Sequence, residues 1–169
     1  KKMSTPLNYR VNHQNKRPDI PKITTNGEYE IEIIKCDVMI TKQKDPMLSF
    51  THKVRDDVKQ DAAGAIIRYD NLTYKEDTVY RLDELSIAAM IPQNRVFETM
   101  EELAEELVGK CIRVNVYMRK MTNGTYPRVK EYMQTNHSRT FNGGVIPSVS
   151  DFITEASDLE ELDDFEESY

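Results

Sequence analysis

Hydrophobic and polar residues alternate through most of the first half of the chain. From Gly27 to Thr41, Tyr29, Ile31 and Ile33 alternate, then the phase slips and Ile34, Cys36, Val38 and Ile40 take over. A one-residue slip inside a continuous strand predicts a β-bulge, which bends the strand. A long bent first strand is what a small barrel needs if one strand is to serve two parts of the sheet. Met47–Arg55 follows across the short turn at 42–46, with Leu48, Phe50, His52 and Val54 on one face and Phe50 read as core. A third strand runs over Gly64–Leu72, carrying Ile66, Ile67 and Tyr69. The 55–63 connection, with three aspartates, Arg55 and Lys59, reads as a solvated loop.

The period then changes. Val79, Leu82, Ser86 and Ala89, with Leu85 beside them, form a helical stripe over Glu76–Met90 that Pro92 ends. A second helix spans Met100–Val108, with Thr99 as N-cap, Glu102 completing a capping box and Gly109 closing it. Glu101, Glu102, Glu105 and Glu106 lie on its outside.

Two more strands, within Lys110–Met133, flank Asn123-Gly124, the strongest short-range signal for a type I′ hairpin. With Thr122 opposite Thr125, Val114, Val116 and Met118 face Met133, Glu131 and Val129 as core. The other face carries Arg113, Asn115, Tyr117 and Arg119 opposite Gln134, Tyr132, Lys130 and Arg128, with no carboxylate. Cations that track phosphates and flat rings that stack bases are the mixture that binds single-stranded nucleic acid. A solvated outer face has a similar composition, so this face alone decides nothing.

Charge sharpens the picture. The net charge is −6, but the segment 151–169 holds nine acidic residues and no Lys or Arg, leaving 23 basic against 20 acidic residues in the other 150. A mildly basic body with an acidic tail is a pattern of nucleic-acid binders. Residues 1–26 form a polar, flexible N-terminal arm with three prolines and six Lys or Arg, whose cations either touch a phosphate backbone or, more simply, keep the arm solvated. A linker over 135–150 precedes the tail, which reads as disordered. Leu159, Leu162 and Phe165, with Tyr169 beyond, have the spacing of a short amphipathic helix formed on a partner. No run approaches a membrane span, the start of the chain lacks a signal peptide's apolar core, and Cys36 and Cys111 read as buried free thiols, so a cytoplasmic location is expected.

Enzyme signatures are missing: there is no phosphate loop, GxGxxG, HExxH or GxSxG. His13, His52 and His137 are scattered, no cofactor is expected, and Asp56, Asp57 and Asp61 read as solvated loop before they read as a metal site.

The expected fold is therefore mainly β with a helical insert, a five-stranded OB-fold-like barrel over 27–134. An OB fold binds its ligand across strands 2–3 and the loops joining strands 1–2 and 4–5. The runs GEYEIEIIKCDVMITKQKDPMLSFTHKVRDD, IIRYDNLTYKEDTVYRLDELSIAAMIP and LVGKCIRVNVYMRKMTNGTYPRVKEY resemble a family of small phage-encoded proteins of replication and recombination modules. These are considered OB-fold single-stranded DNA-binding proteins. The acidic end is similar in kind to tails of single-strand-binding proteins that recruit polymerases, primases and nucleases. The resemblance implies a non-catalytic single-stranded DNA-binding protein whose tail competes with DNA and recruits replication or recombination partners.

Cationic candidates are Arg113, Arg119, Arg128 and Lys130, then Lys53, Arg55 and Arg68. Tyr117 and Tyr132 are expected to stack bases, with Tyr69 and Tyr126 second, and Asn115 lies on the same face. Two other readings stand beside this one: an accessory barrel that holds a replication or recombination enzyme without touching DNA, and, with no local support, a metal-dependent nuclease. Exposed edge strands leave a homodimer open.

Overall fold

The computed structural model describes residues 4–139, which form five antiparallel strands in one sheet and two short helices. The elements are β1 (Gly27–Ile40), β2 (Pro46–Val54), β3 (Ile66–Thr73), α1 (Val79–Ala88), α2 (Met100–Leu107), β4 (Cys111–Met121) and β5 (Gly124–Gln134). Strand order is β3-β2-β1-β4-β5. The sheet is open, since no backbone ladder joins β3 to β5, yet these edges come together through side chains, as in a partly open OB-like barrel.

β1 serves two partners, β4 through Gly27–Glu32 and β2 through Ile31–Ile40. The expected bulge is present: Ile33 pairs with His52 and Lys35 with Thr51, which leaves Ile34 extra. Both Ile33 and Ile34 are buried, so the bulge lets two successive apolar side chains turn inward. A single core runs through Ile31, Phe50, Val54, Ile112 and Val114, all buried.

Helix α1 is shorter than the periodicity predicts. Its buried residues are Leu82, Leu85 and Ala88, and it ends where Met90 takes a left-handed φ of 58°, ahead of Pro92. In α2 the Thr99 side chain accepts from Glu102 N–H, as expected; the Glu102 carboxylate accepts from Glu98 N–H, one residue earlier than a capping box requires. The 55–63 segment is tied down instead of solvated. Gln60 accepts from Glu30 N–H and donates to the Glu30 and Arg55 carbonyls, and Val58 is buried.

The β4–β5 hairpin departs most from expectation. Met121 pairs with Gly124, so Thr122 and Asn123 form the turn; of the residues from 121 to 124, Gly124 alone takes positive φ, which excludes a type I′ turn. The register is thus displaced by two residues near the turn, which preserves faces. A bulge between the Val116–Val129 and Asn115–Glu131 pairs then leaves Lys130 extra and shifts the rest of β5 by one. That single residue sends Glu131 outward and Tyr132 inward.

Tyr132 is 7% exposed, and its hydroxyl donates to Asp70 Oδ2 at 2.6 Å. His52 Nε2 meets the same oxygen at 2.8 Å, and Phe50 stacks on the imidazole. One carboxylate therefore joins β2, β3 and β5. Tyr132→Phe should lower stability by roughly 1–3 kcal/mol, the usual cost of a lost buried hydrogen bond. Asp70→Ala should cost at least as much, because two buried donors lose their acceptor. Urea unfolding checks both.

Candidate nucleic-acid interface

Away from the turn, the outward face of the hairpin is not a free basic surface. Arg113 donates to Glu28 at 2.6 Å, and Asn115 lies 3.5 Å from the Glu131 carboxylate, so two acids sit where none was expected. Tyr117 is exposed at 39% and faces Arg128 across the hairpin, while Arg119 faces Tyr126 and Lys130 is exposed at the bulge.

Two expected contact residues belong to the interior. Tyr132 is core, for the register reason above. Arg55 is 3% exposed: its guanidinium donates to Asp57 at 2.9 and 2.6 Å and to the His137 carbonyl, and lies 3.9 Å from Glu30. It clamps the segment after β5 onto the barrel, helped by Thr135 and Asn136 on Glu30 and by Arg139 on Glu32. Lys53 pairs with Asp56 at 3.3 Å.

The remaining candidates converge elsewhere. A groove of about 810 Å³ opens where the N-terminal arm, β3 and the turn end of the hairpin meet. Arg17 and Lys22 come from the arm, Arg68 and Tyr69 from β3, and Tyr126 and Arg128 from β5. Its lining holds four cationic side chains, two tyrosines and no carboxylate. A concave site with charge of one sign focuses the field and raises the local concentration of an anionic ligand.

Local geometry explains this placement. Phe50 pairs with Asp70 and His52 with Ile67, so Arg68 and Tyr69 together oppose Thr51. This bulge puts Tyr69 at a φ of 58°, a left-handed conformation rare for an aromatic residue. Across the groove, Arg128 Nη1 lies 3.5 Å from the Arg68 carbonyl, and Tyr126 donates to the Asn123 carbonyl at 3.3 Å. The arm is held by Ile23, buried in the core, and by Asn26, whose side chain accepts from Met118 N–H at 2.8 Å.

Thus Arg68, Tyr69, Tyr126 and Arg128 come together as a site, while Tyr117 and Arg119 lie outside its lining. Sequence reasoning did not name Arg17 and Lys22 as site residues, because solvation is the simpler reading of the arm's cations. The available signal was the apolar Ile23 just after two prolines, an anchor that a purely solvated arm does not need. The tail residues Leu159, Leu162, Phe165 and Tyr169 lie outside the described residues.

A model of a protein family described as protein of unknown function (DUF669) matches residues 11–140. The chain belongs to the DUF669 family. No curated protein matches it. The matched span takes in the arm from Val11 onward, the whole sheet and the segment clamped by Arg55. The groove thus lies inside the DUF669 domain, including both arm cations.

Other titratable groups serve the scaffold. Among the described residues no His, Cys, Asp or Glu cluster has the form of a metal site, and no helix is long and apolar enough to cross a membrane. Cys36 and Cys111 are half-buried free thiols whose pKa values burial pushes up. Hydrogen bonding to Arg55 holds the Asp57 carboxyl down at about 2. A depressed carboxylate contributes stability above its ordinary value near 3.8 and loses it as pH falls toward 2. Asp57→Asn should therefore flatten the loss of stability between about pH 4 and pH 2, read from urea midpoints against the unmodified chain.

Proposed function

We propose that this DUF669 chain is a non-catalytic single-stranded DNA-binding protein that supports phage DNA replication or recombination. The observation that supports it best is the groove: cations from the arm, β3 and β5 surround two tyrosines with no carboxylate in the lining. Phosphates along a single strand meet Arg17, Lys22, Arg68 and Arg128, whose neutralising charge releases counterions. The exposed π-faces of bases meet Tyr69 and Tyr126, which stack without regard to sequence. Tyr117, Arg119 and Lys130 extend the path along the outer hairpin. The acidic tail over 151–169 takes the role of competitor for the cationic groove and of handle for partner proteins.

The second reading, an accessory module that holds a replication or recombination enzyme, draws on exposed apolar side chains away from the groove. Tyr80, Ile87, Met90 and Val96 are each more than half exposed on α1 and the loop after it.

Fluorescence anisotropy with labelled oligo-dT separates the two. The full chain should bind with an affinity that falls steeply as salt rises. Arg68→Gln and Arg128→Gln should each weaken binding and reduce the salt slope by about one. Tyr126→Ala should cost about 1–3 kcal/mol of binding free energy. Tyr132→Phe, which alters only the interior, should leave affinity unchanged. Absence of oligo-dT binding at low salt would overturn the proposal in favour of the accessory module.

A further inference from the structure

Three contacts seat the N-terminal arm against the barrel. Ile23 is buried in the core, and the Asn26 side chain accepts from Met118 N–H at 2.8 Å. Pro21 lies beside Gly64, where a Cβ would meet the proline ring at 3.9 Å. From there back to Arg17 the arm forms one wall of the groove, to which it gives Arg17 and Lys22.

Beyond Arg17 the chain reverses. The Asn12 carbonyl accepts from Asn15 N–H at 3.2 Å, and the Asn12 side chain accepts from Gln14 N–H at 2.9 Å. Together they make a β-turn over 12–15 that the asparagine side chain reinforces. A β-turn sends the chain back on itself, so the leg over 4–11 heads toward 16–22, the stretch that walls the groove. No strand joins the two legs among the described residues, and every residue from 4 to 22 is exposed.

The composition of that leg suits a single strand. Leu7, Tyr9 and Val11 alternate with Asn8, Arg10 and Asn12, and the three apolar side chains are 84%, 68% and 64% exposed. From 4 to 18 there are three Lys or Arg and no Asp or Glu, in a chain with 29 acidic residues. Bases offer exposed apolar faces to the ring and its apolar neighbours, while phosphates offer charge to the cations. Neither need is met inside the chain, because the leg lies in water.

We propose that residues 4–16 are a strap that closes over the strand held in the groove, with Tyr9 stacking on a base and Arg10 and Lys16 meeting phosphates from the solvent side. The strand is then held between arm and barrel, and it leaves only after the strap opens. The strap therefore acts on dissociation more than on association. The proposal rests on the groove being a single-strand site, and it adds contacts that form only once a strand is bound.

The test uses labelled oligo-dT and the full chain, with anisotropy for affinity and stopped flow for dissociation. Tyr9→Ala should weaken binding about tenfold, mainly by faster dissociation. Arg10→Gln should reduce the salt slope by about one. Both side chains are exposed, so neither change disturbs the core. Limited trypsin digestion adds a readout on the unmodified chain: saturating oligo-dT should slow the cuts after Arg10 and Lys16. Unchanged affinity in both variants, or cuts as fast with oligo-dT bound as without it, would overturn the strap while Arg68→Gln still weakened binding. Protection that appears on concentrating the chain without oligo-dT would assign the leg to a second copy and also overturn the strap. Absence of oligo-dT binding would overturn strap and groove together.

Discussion

The molecule depends on how the open side of its sheet is held. Five strands in the order β3-β2-β1-β4-β5 leave two edges, and the bend at Ile34 turns them toward each other without a ladder between them. Asp70 carries the join. Its Oδ2 atom takes the Tyr132 hydroxyl from β5 and the His52 imidazole from β2, deep in the core. A carboxylate buried without such partners would be expensive, so the seam is stable only while all three side chains are in register. Arg81 reinforces it from α1, donating to the Val129 carbonyl with its guanidinium 5.7 Å over the Tyr132 ring.

The same missing ladder makes room for the site. Where β3 and β5 diverge beyond the Asp70 seam, the hairpin turn and the arm border a groove instead of a continuous sheet. Cations collect there because each element arrives with its own: two from the arm, one from β3 and one from β5. Nearer the β1 start, Glu28 offsets Arg113, and Glu131 adds a second carboxylate beside the neutral Asn115. The local balance of charge, more than the count of arginines on a strand, separates a groove suited to anions from an ordinary solvated face.

Alternation in the sequence was enough for the strands and for the first bulge, because both phases of β1 are apolar and the slip between Ile33 and Ile34 is visible. The β5 bulge left no such trace. Lys130 and Glu131 are both polar, so neither phase protests when an extra residue enters, and tyrosine is ambiguous by nature: its ring suits an exposed stacking surface or a core that offers its hydroxyl a partner. Tyr132 found Asp70, 62 residues away. Arg55 was misread for the same kind of reason. Its burial depends on Glu30 and His137, which only the folded chain brings together. The turn falls one residue earlier than an Asn-Gly centre predicts, because Asn123 keeps a negative φ and Gly124 begins the strand.

The bulge in β3 ties these threads together. A non-glycine residue held in the left-handed region costs on the order of 1–3 kcal/mol and persists only where its surroundings over-determine it. Glycine or asparagine would relieve that strain at position 69, yet a tyrosine stands there and places its ring in the cationic groove. The extra residue also reverses the alternation of β3, so that Asp70 points in to hold the seam while Arg68 and Asn71 point out on either side of Tyr69. Without the bulge, Asp70 and Arg68 would share a face, and either the seam would lose its carboxylate or the groove would lose its arginine. One strained residue thus lets a single short strand close the barrel on one face and line the cationic groove on the other.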